Sequence, residues 1–123
     1  MKMEISSEQL DGDIYKINLT GRMDIPGNAE VDITFSGMTA SPRKFFILDL
    51  SGVDFIASIG IRTILMSAKA IQNRGGKIVL LNPDSHVEKI LSVAGVGTIL
   101  DIVHSLETAL IMFSSQPTLE END

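Results

Sequence analysis

The sequence predicts an α/β domain: a mixed β-sheet opened by a β-hairpin, with helices packed against it in the order β-β-α-β-α-β-α-β-α. Three observations carry that expectation. Residues 44–50 and 77–82 are almost unbroken apolar runs, which read as strands buried on both faces of a parallel sheet. Each run is followed by apolar residues at helical spacing. Residues 14–19 alternate apolar and polar after turn chemistry at Asp11-Gly12-Asp13, which reads as the second arm of a hairpin.

In chain order, residues 3–8 form a weak first strand. Tyr15, Ile17 and Leu19 then share one face of the second strand and Lys16 and Asn18 the other, with Gly21 ending it. Residues 22–42 hold a weak helix. Asn28 is its expected cap, Ala29, Ile33, Phe35 and Met38 its inner face, and Pro42 its stop. After the strand at 44–50, residues 51–56 read as a loop and 59–73 as a clear helix. Its inner side is Ile61, Ile64, Leu65, Ala68 and Ile71 or Gln72, and Gly75-Gly76 stop it. Pro83 cuts the next strand. Ser85 with Glu88 is a capping-box pattern, opening a helix that carries Val87, Ile90, Leu91 and Ala94 inward and ends at Gly95. Residues 98–103 read as a short edge strand. Ser105 caps a last helix with Leu106, Ala109, Leu110 and Phe113 on one side. Alternation of strand and helix implies right-handed parallel crossovers.

The length of 123 residues fits one domain. It is read here as residues 1–113, followed by a disordered acidic tail at 114–123. With 44% hydrophobic and 21% charged residues the chain has enough apolar content to fold. Sixteen acids against ten bases give a net charge of −6, of which Glu120, Glu121 and Asp123 carry half. That balance argues against nucleic acid and against anionic lipid as partners, since both need a basic surface. Without cysteine there is no disulfide, thiolate catalysis or thiolate metal site. No secretory signal and no ~20-residue apolar span is visible, so a cytoplasmic location is expected.

Few residues suggest chemistry. His86 and His104 lack metal-ligand spacing and read as surface histidines, so no metal is expected. No glycine-rich phosphate loop occurs, and no cofactor is expected; Gly95-Val96-Gly97 follows a helix and reads as its C-cap. Asp49 and Asp54 flank the expected loop at the C-terminal end of a central strand, where open α/β sheets place their sites, but loop Asp usually serves turn chemistry. The informative stretch is Phe55-Ile56-Ala57-Ser58-Ile59-Gly60-Ile61-Arg62, where strand, loop and helix meet. Ser58 stands at the expected N-cap. Ile59 there faces solvent, and Arg62 puts a cation near the positive end of the helix dipole. Phosphate on Ser58 would reverse that account, with helix amides to bind it and Arg62 within reach. Hydrolysis is a poorer use of Ser58, because there is no G-x-S-x-G elbow and no His–acid pair.

These residues resemble the STAS domain of bacterial anti-sigma factor antagonists. The matching runs are Ile47 through Ile61, Gly21-Arg22-Met23-Asp24, Gly75 through Leu80, and Leu91 through Val96. The resemblance implies a STAS-like mixed sheet and a protein without enzyme activity. It implies an anti-sigma factor of the serine-protein kinase type as partner, bound while the serine is free and released after phosphorylation. It makes Ser58 the phosphoacceptor and puts Asp24, Ala57, Ile59, Gly60 and Arg62 on the partner-binding surface, in a monomer or weak dimer. The family pattern Asp-Ser-(Ser/Thr)-Gly reads Ala57-Ser58-Ile59-Gly60 here, with Arg62 where a small residue is common. Two alternatives stand beside this reading: a STAS scaffold that is not phosphorylated and binds another protein or a small apolar ligand, and a small hydrolase or transferase with Ser58 as nucleophile.

Overall fold

Alternation along the central strand sets the layers. In β3 (Phe45–Ile56), Phe46, Leu48 and Leu50 belong to one apolar cluster and Ile47 to another, and all four are completely buried. A strand buried on both faces needs a cover on each. Its neighbours are β1 (Glu4–Gln9), β2 (Ile14–Met23), β4 (Lys77–Leu81) and β5 (Asp101–Val103), in the spatial order β1-β2-β3-β4-β5. β1 runs antiparallel to β2, and every other pair is parallel. The helices α1 (Ile25–Thr39), α2 (Ser58–Asn73) and α3 (Ser85–Val93) bury Phe35, Ile64, Ile71, Val87 and Leu91 in the larger cluster. On the other face α4 (Leu106–Ser114) brings Ala109 and Phe113 onto Ile14, Ile47, Val79 and Val103. This is the element order expected from the sequence. The computed structural model describes residues 2–114; of the tail expected at 114–123, Ser114 is the last residue of α4 and the rest lies outside the described residues.

Several boundaries differ from expectation. β2 continues past Gly21 to Met23, because a register shift and a φ of 118° at Gly21 let the strand bend without ending. Residues 51–56 are not a loop. They stay in β3, pairing with Thr20 through Met23 of β2, so cross-strand pairing overrides the turn signal of Ser51-Gly52. The α1 cap is Asp24 rather than Asn28: its Oδ1 accepts the Gly27 N–H at 2.8 Å. Starting the helix earlier rotates its buried stripe to Gly27, Asn28, Val31, Phe35 and Thr39, leaving Ala29 exposed and Ile33 85% exposed. α3 is capped by Asp84 rather than Ser85, through the Val87 N–H at 2.8 Å. Glu88 does not complete a capping box; it meets His104 Nε2 at 2.8 Å. Val87 and Leu91 face inward as expected, whereas Ala94 is exposed. β5 holds only residues 101–103, because Gly95 at φ 80° leads into a short 3₁₀ turn over Val96–Thr98. Ser105 Oγ accepts the Thr108 N–H at 3.1 Å, the expected cap of α4, while Leu106 turns outward.

Register also fixes where the sheet is narrow. β4 pairs with β3 only as far as Asp49↔Leu81, and β1 reaches only Thr20 on β2. Beyond these points Gly21 to Met23 and Val53 to Ile56 form a two-stranded tip, from which α1 and α2 both depart. No helix among the described residues is long and apolar enough to cross a membrane.

Candidate functional site

The two-stranded tip brings together most of the residues singled out in the sequence. Met23 lies opposite Ile56, and the Ala57 N–H donates to the Met23 carbonyl at 2.9 Å. Asp24 and Ser58, which follow these residues, therefore start neighbouring helices at one edge of the sheet. Gly27 and Gly60 allow the close packing beneath. A Cβ on Gly27 would collide with the Arg22 carbonyl oxygen, and one on Gly60 would sit 3.0 Å from side-chain atoms of Met23 and Ile56. Gly60 is thus buried, and its part at this edge is to let α2 approach the strands, not to present a side of its own.

Ser58 is not the N-cap of α2. Ala57 holds that position with extended backbone and offers no side-chain acceptor. Ser58 is instead the first helical residue, exposed, and its hydroxyl makes no hydrogen bond among the described residues. The first amides of a helix have no intrahelical acceptor. Here the Gly60 and Ile61 N–H groups already reach the Ala57 carbonyl, at 2.9 and 3.1 Å, which leaves those of Ser58 and Ile59 open. The structural use of Ser58 expected from the sequence, capping, is therefore absent, and its oxygen is free to react.

Around the serine, Asp24 is held firmly. Its Oδ1 caps α1 and its Oδ2 accepts from Arg22 Nε at 3.1 Å. Arg22 lies 4.1 Å above the Phe55 ring centroid, and His86 stacks near the same ring at 6.4 Å. The grouping of Arg22, Phe55 and His86 was not legible in the sequence, since it joins three separate elements. The one available signal was the placement of His86 in a first helical turn. Ile59 is 36% exposed, and Ile25 and Met66 on the same pair of helices are 74% and 61% exposed. Arg62 is exposed and lines a groove between α1 and α2 with Ile59 and Met66.

Asp49 and Asp54 do not flank a loop. Asp54 is an exposed residue of β3, and Asp49 lies in mid-strand on the side away from the larger core. Burial works against the charge of Asp49. The Ser51 hydroxyl and amide, at 2.7 and 2.9 Å, and Lys16 at 3.1 Å outweigh it and hold the carboxyl below its ordinary value. This is a structural network. No group of three or more potential ligands among the described residues is placed to hold a metal ion.

Comparison with known proteins agrees with this fold. The family described as Mlab, STAS domain, matches residues 6–104. BtrV of Bordetella bronchiseptica, described as an anti-sigma factor antagonist, is 24% identical over 113 residues, covering 92% of this chain and 97% of that one. An anti-sigma factor antagonist from Mycobacterium paratuberculosis superposes with a TM-score of 0.83 at 16% identity, over 92% of this chain and 95% of that one. The unphosphorylated form of the anti-sigma factor antagonist SpoIIAA superposes with a TM-score of 0.76 at 19% identity, over 94% and 100%. Its phosphorylated form from Bacillus gives 0.68 at 19%, over 89% and 99%.

Proposed function

This chain belongs to the STAS domain family, and from that premise we propose that it is an anti-sigma factor antagonist. In this reading it is a protein-binding module without catalytic activity. It holds an anti-sigma factor of the serine-kinase type while Ser58 carries a free hydroxyl, and releases it once Ser58 is phosphorylated. The observation that carries the reading is Ser58 itself: exposed, unbonded, and at the start of a helix that no side chain caps. In the transfer, the kinase's nucleoside triphosphate supplies the phosphoryl group. The Ser58 Oγ–P bond forms as the bond to the leaving diphosphate breaks, and the hydroxyl proton passes to the kinase.

The partner would meet Asp24, Ile25 and Ile59 at the shared start of α1 and α2, with the exposed side chain of Arg62 one turn further along. This face is largely apolar and carries no net negative charge, because Asp24 is already matched by Arg22 and Arg62 adds a cation. A phosphate brings about −1.5 to −2 charges to it. Docking would then have to strip water from a dianion, which costs affinity unless the partner supplies a cation. Catalysis by Ser58 itself is a weaker reading. His86, the imidazole on its groove, has no carboxylate partner among the described residues.

The test is a binding titration against the anti-sigma factor identified by co-purification from the native host, with phosphosite mapping on the same sample. Ser58→Asp weakens binding at least about tenfold, a loss of ~1.4 kcal/mol, and Ser58→Ala keeps the wild-type affinity. Equal affinities for the two variants, or an unmodified Ser58 in every growth condition, would remove the switch.

A further inference from the structure

Ser58 lies on the wall of a groove of about 790 Å³ between α2 and α3. Most of that wall is apolar, including Phe55, Ile61 and Ile90. Among the described residues its charged or titratable lining is His86 and Lys89, both from α3. Neither forms an ion pair among the described residues. Contact with the Phe55 ring keeps the imidazole at the groove. No acidic side chain among the described residues lines it. The carboxylates of neighbouring elements are engaged or turned to solvent: Asp24 pairs with Arg22, Asp84 caps α3, and Asp54 is exposed on β3. Arg62, the cation four residues after Ser58, lines the other groove, between α1 and α2, beside Asp32.

On the reading of Ser58 as phosphoacceptor, we propose that phosphoserine at this position is received by His86 and Lys89, with the phosphate lying across the α2–α3 groove rather than along α2 toward Arg62. A phosphate offers three acceptor oxygens. The lysine ammonium offers three donors and the imidazole at least one. Charge-assisted bonds of this kind are shorter and stronger than neutral ones. Ala57 matters here, because it leaves no carboxylate beside the serine to repel the phosphate. Modification then ties α2 to α3 across the groove, beside the docking face at the shared start of α1 and α2.

The experiment uses protein carrying phosphoserine installed at position 58 during synthesis, so it does not depend on any kinase. The second ionisation of the phosphate is followed by phosphorus NMR in the parent, in the double variant His86→Gln/Lys89→Gln, and in Arg62→Gln, each checked for native circular dichroism. The double variant raises the phosphate pKa by about one unit, the expected size for removing neighbouring opposite charge, and Arg62→Gln leaves it in place. A double variant that titrates like the parent, or a shift carried by Arg62→Gln instead, overturns the receiving pair. Neither result touches whether a kinase modifies Ser58 in the cell, which phosphosite mapping decides separately.

Discussion

The starts of α1 and α2 leave the same edge of the sheet and are finished differently. At α1, Asp24 occupies the amide of Gly27 and the guanidinium of Arg22, and Gly27 packs so tightly that a methyl group would not fit. At α2, Ala57 contributes no side-chain acceptor, and the hydroxyl of Ser58 stays unbonded among the described residues. α3 resembles α1, with Asp84 as its cap. Two helix starts are closed by carboxylates for stability, and the one between them is left open. A capping carboxylate at position 57 would stabilise α2 by ~1 kcal/mol, and it would set a negative charge next to the serine.

The largest effect that tests this contrast comes from the closed side. Gly27→Ala forces a methyl group against the Arg22 carbonyl and should destabilise the fold by roughly 3 kcal/mol or more, seen as a lower midpoint in urea unfolding. A midpoint near that of the parent would mean that α1 is seated more loosely than described. Smaller and opposite effects come from exchanging the two kinds of cap. Asp84→Ala should cost about 1 kcal/mol, while Ala57→Asp should gain a similar or smaller amount, both by thermal unfolding. If Ala57→Asp also slows phosphorylation of Ser58, the open start serves the modification and not merely the absence of a need for a cap.

The smallest effect is the acid response of Asp49, whose carboxylate holds Ser51 in its own strand and Lys16 on the neighbouring one. Its pKa lies lower folded than unfolded. Its contribution is therefore complete above the ordinary carboxylate value and is lost as pH falls through the folded value. Asp49→Asn should flatten the acid limb of the stability curve without altering stability's pH dependence near neutrality. An unchanged acid limb would show that Ser51 and Lys16 do not favour the charged form.

The order of all nine elements was legible because each buried strand and amphipathic helix carries its own periodicity. What the sequence hid depends on partners far along the chain. Ser51-Gly52 reads as a turn, yet pairing with Thr20 and its neighbours keeps β3 extended. In the weak helix at 22–42 the inner face is half legible: Phe35 is buried and Met38 packs on the core, while Ala29 and Ile33 point outward and Val31 takes the inner position. Both misplaced caps near the site, at Ser58 and Ser85, lie one residue from the true ones, and a serine before an apolar run looks alike in either register. That single step changes the meaning of Ser58 from a structural acceptor to an unused hydroxyl. Lys89 and the cluster of Arg22, Phe55 and His86 left no local pattern to read.

The narrow tip of the sheet has a consequence for motion. Val53 to Ile56 hydrogen-bond to β2 alone, whereas Phe46 to Asp49 lie between two partners. Opening the tip breaks one ladder and leaves the wide part of the sheet standing. Met23, Val53 and Ile56 still reach the core, so what the tip lacks is the second ladder and not its apolar anchorage. On the proposed function, whatever grips the edge that carries Ser58 works against one strand ladder where the middle of the sheet would oppose it with two.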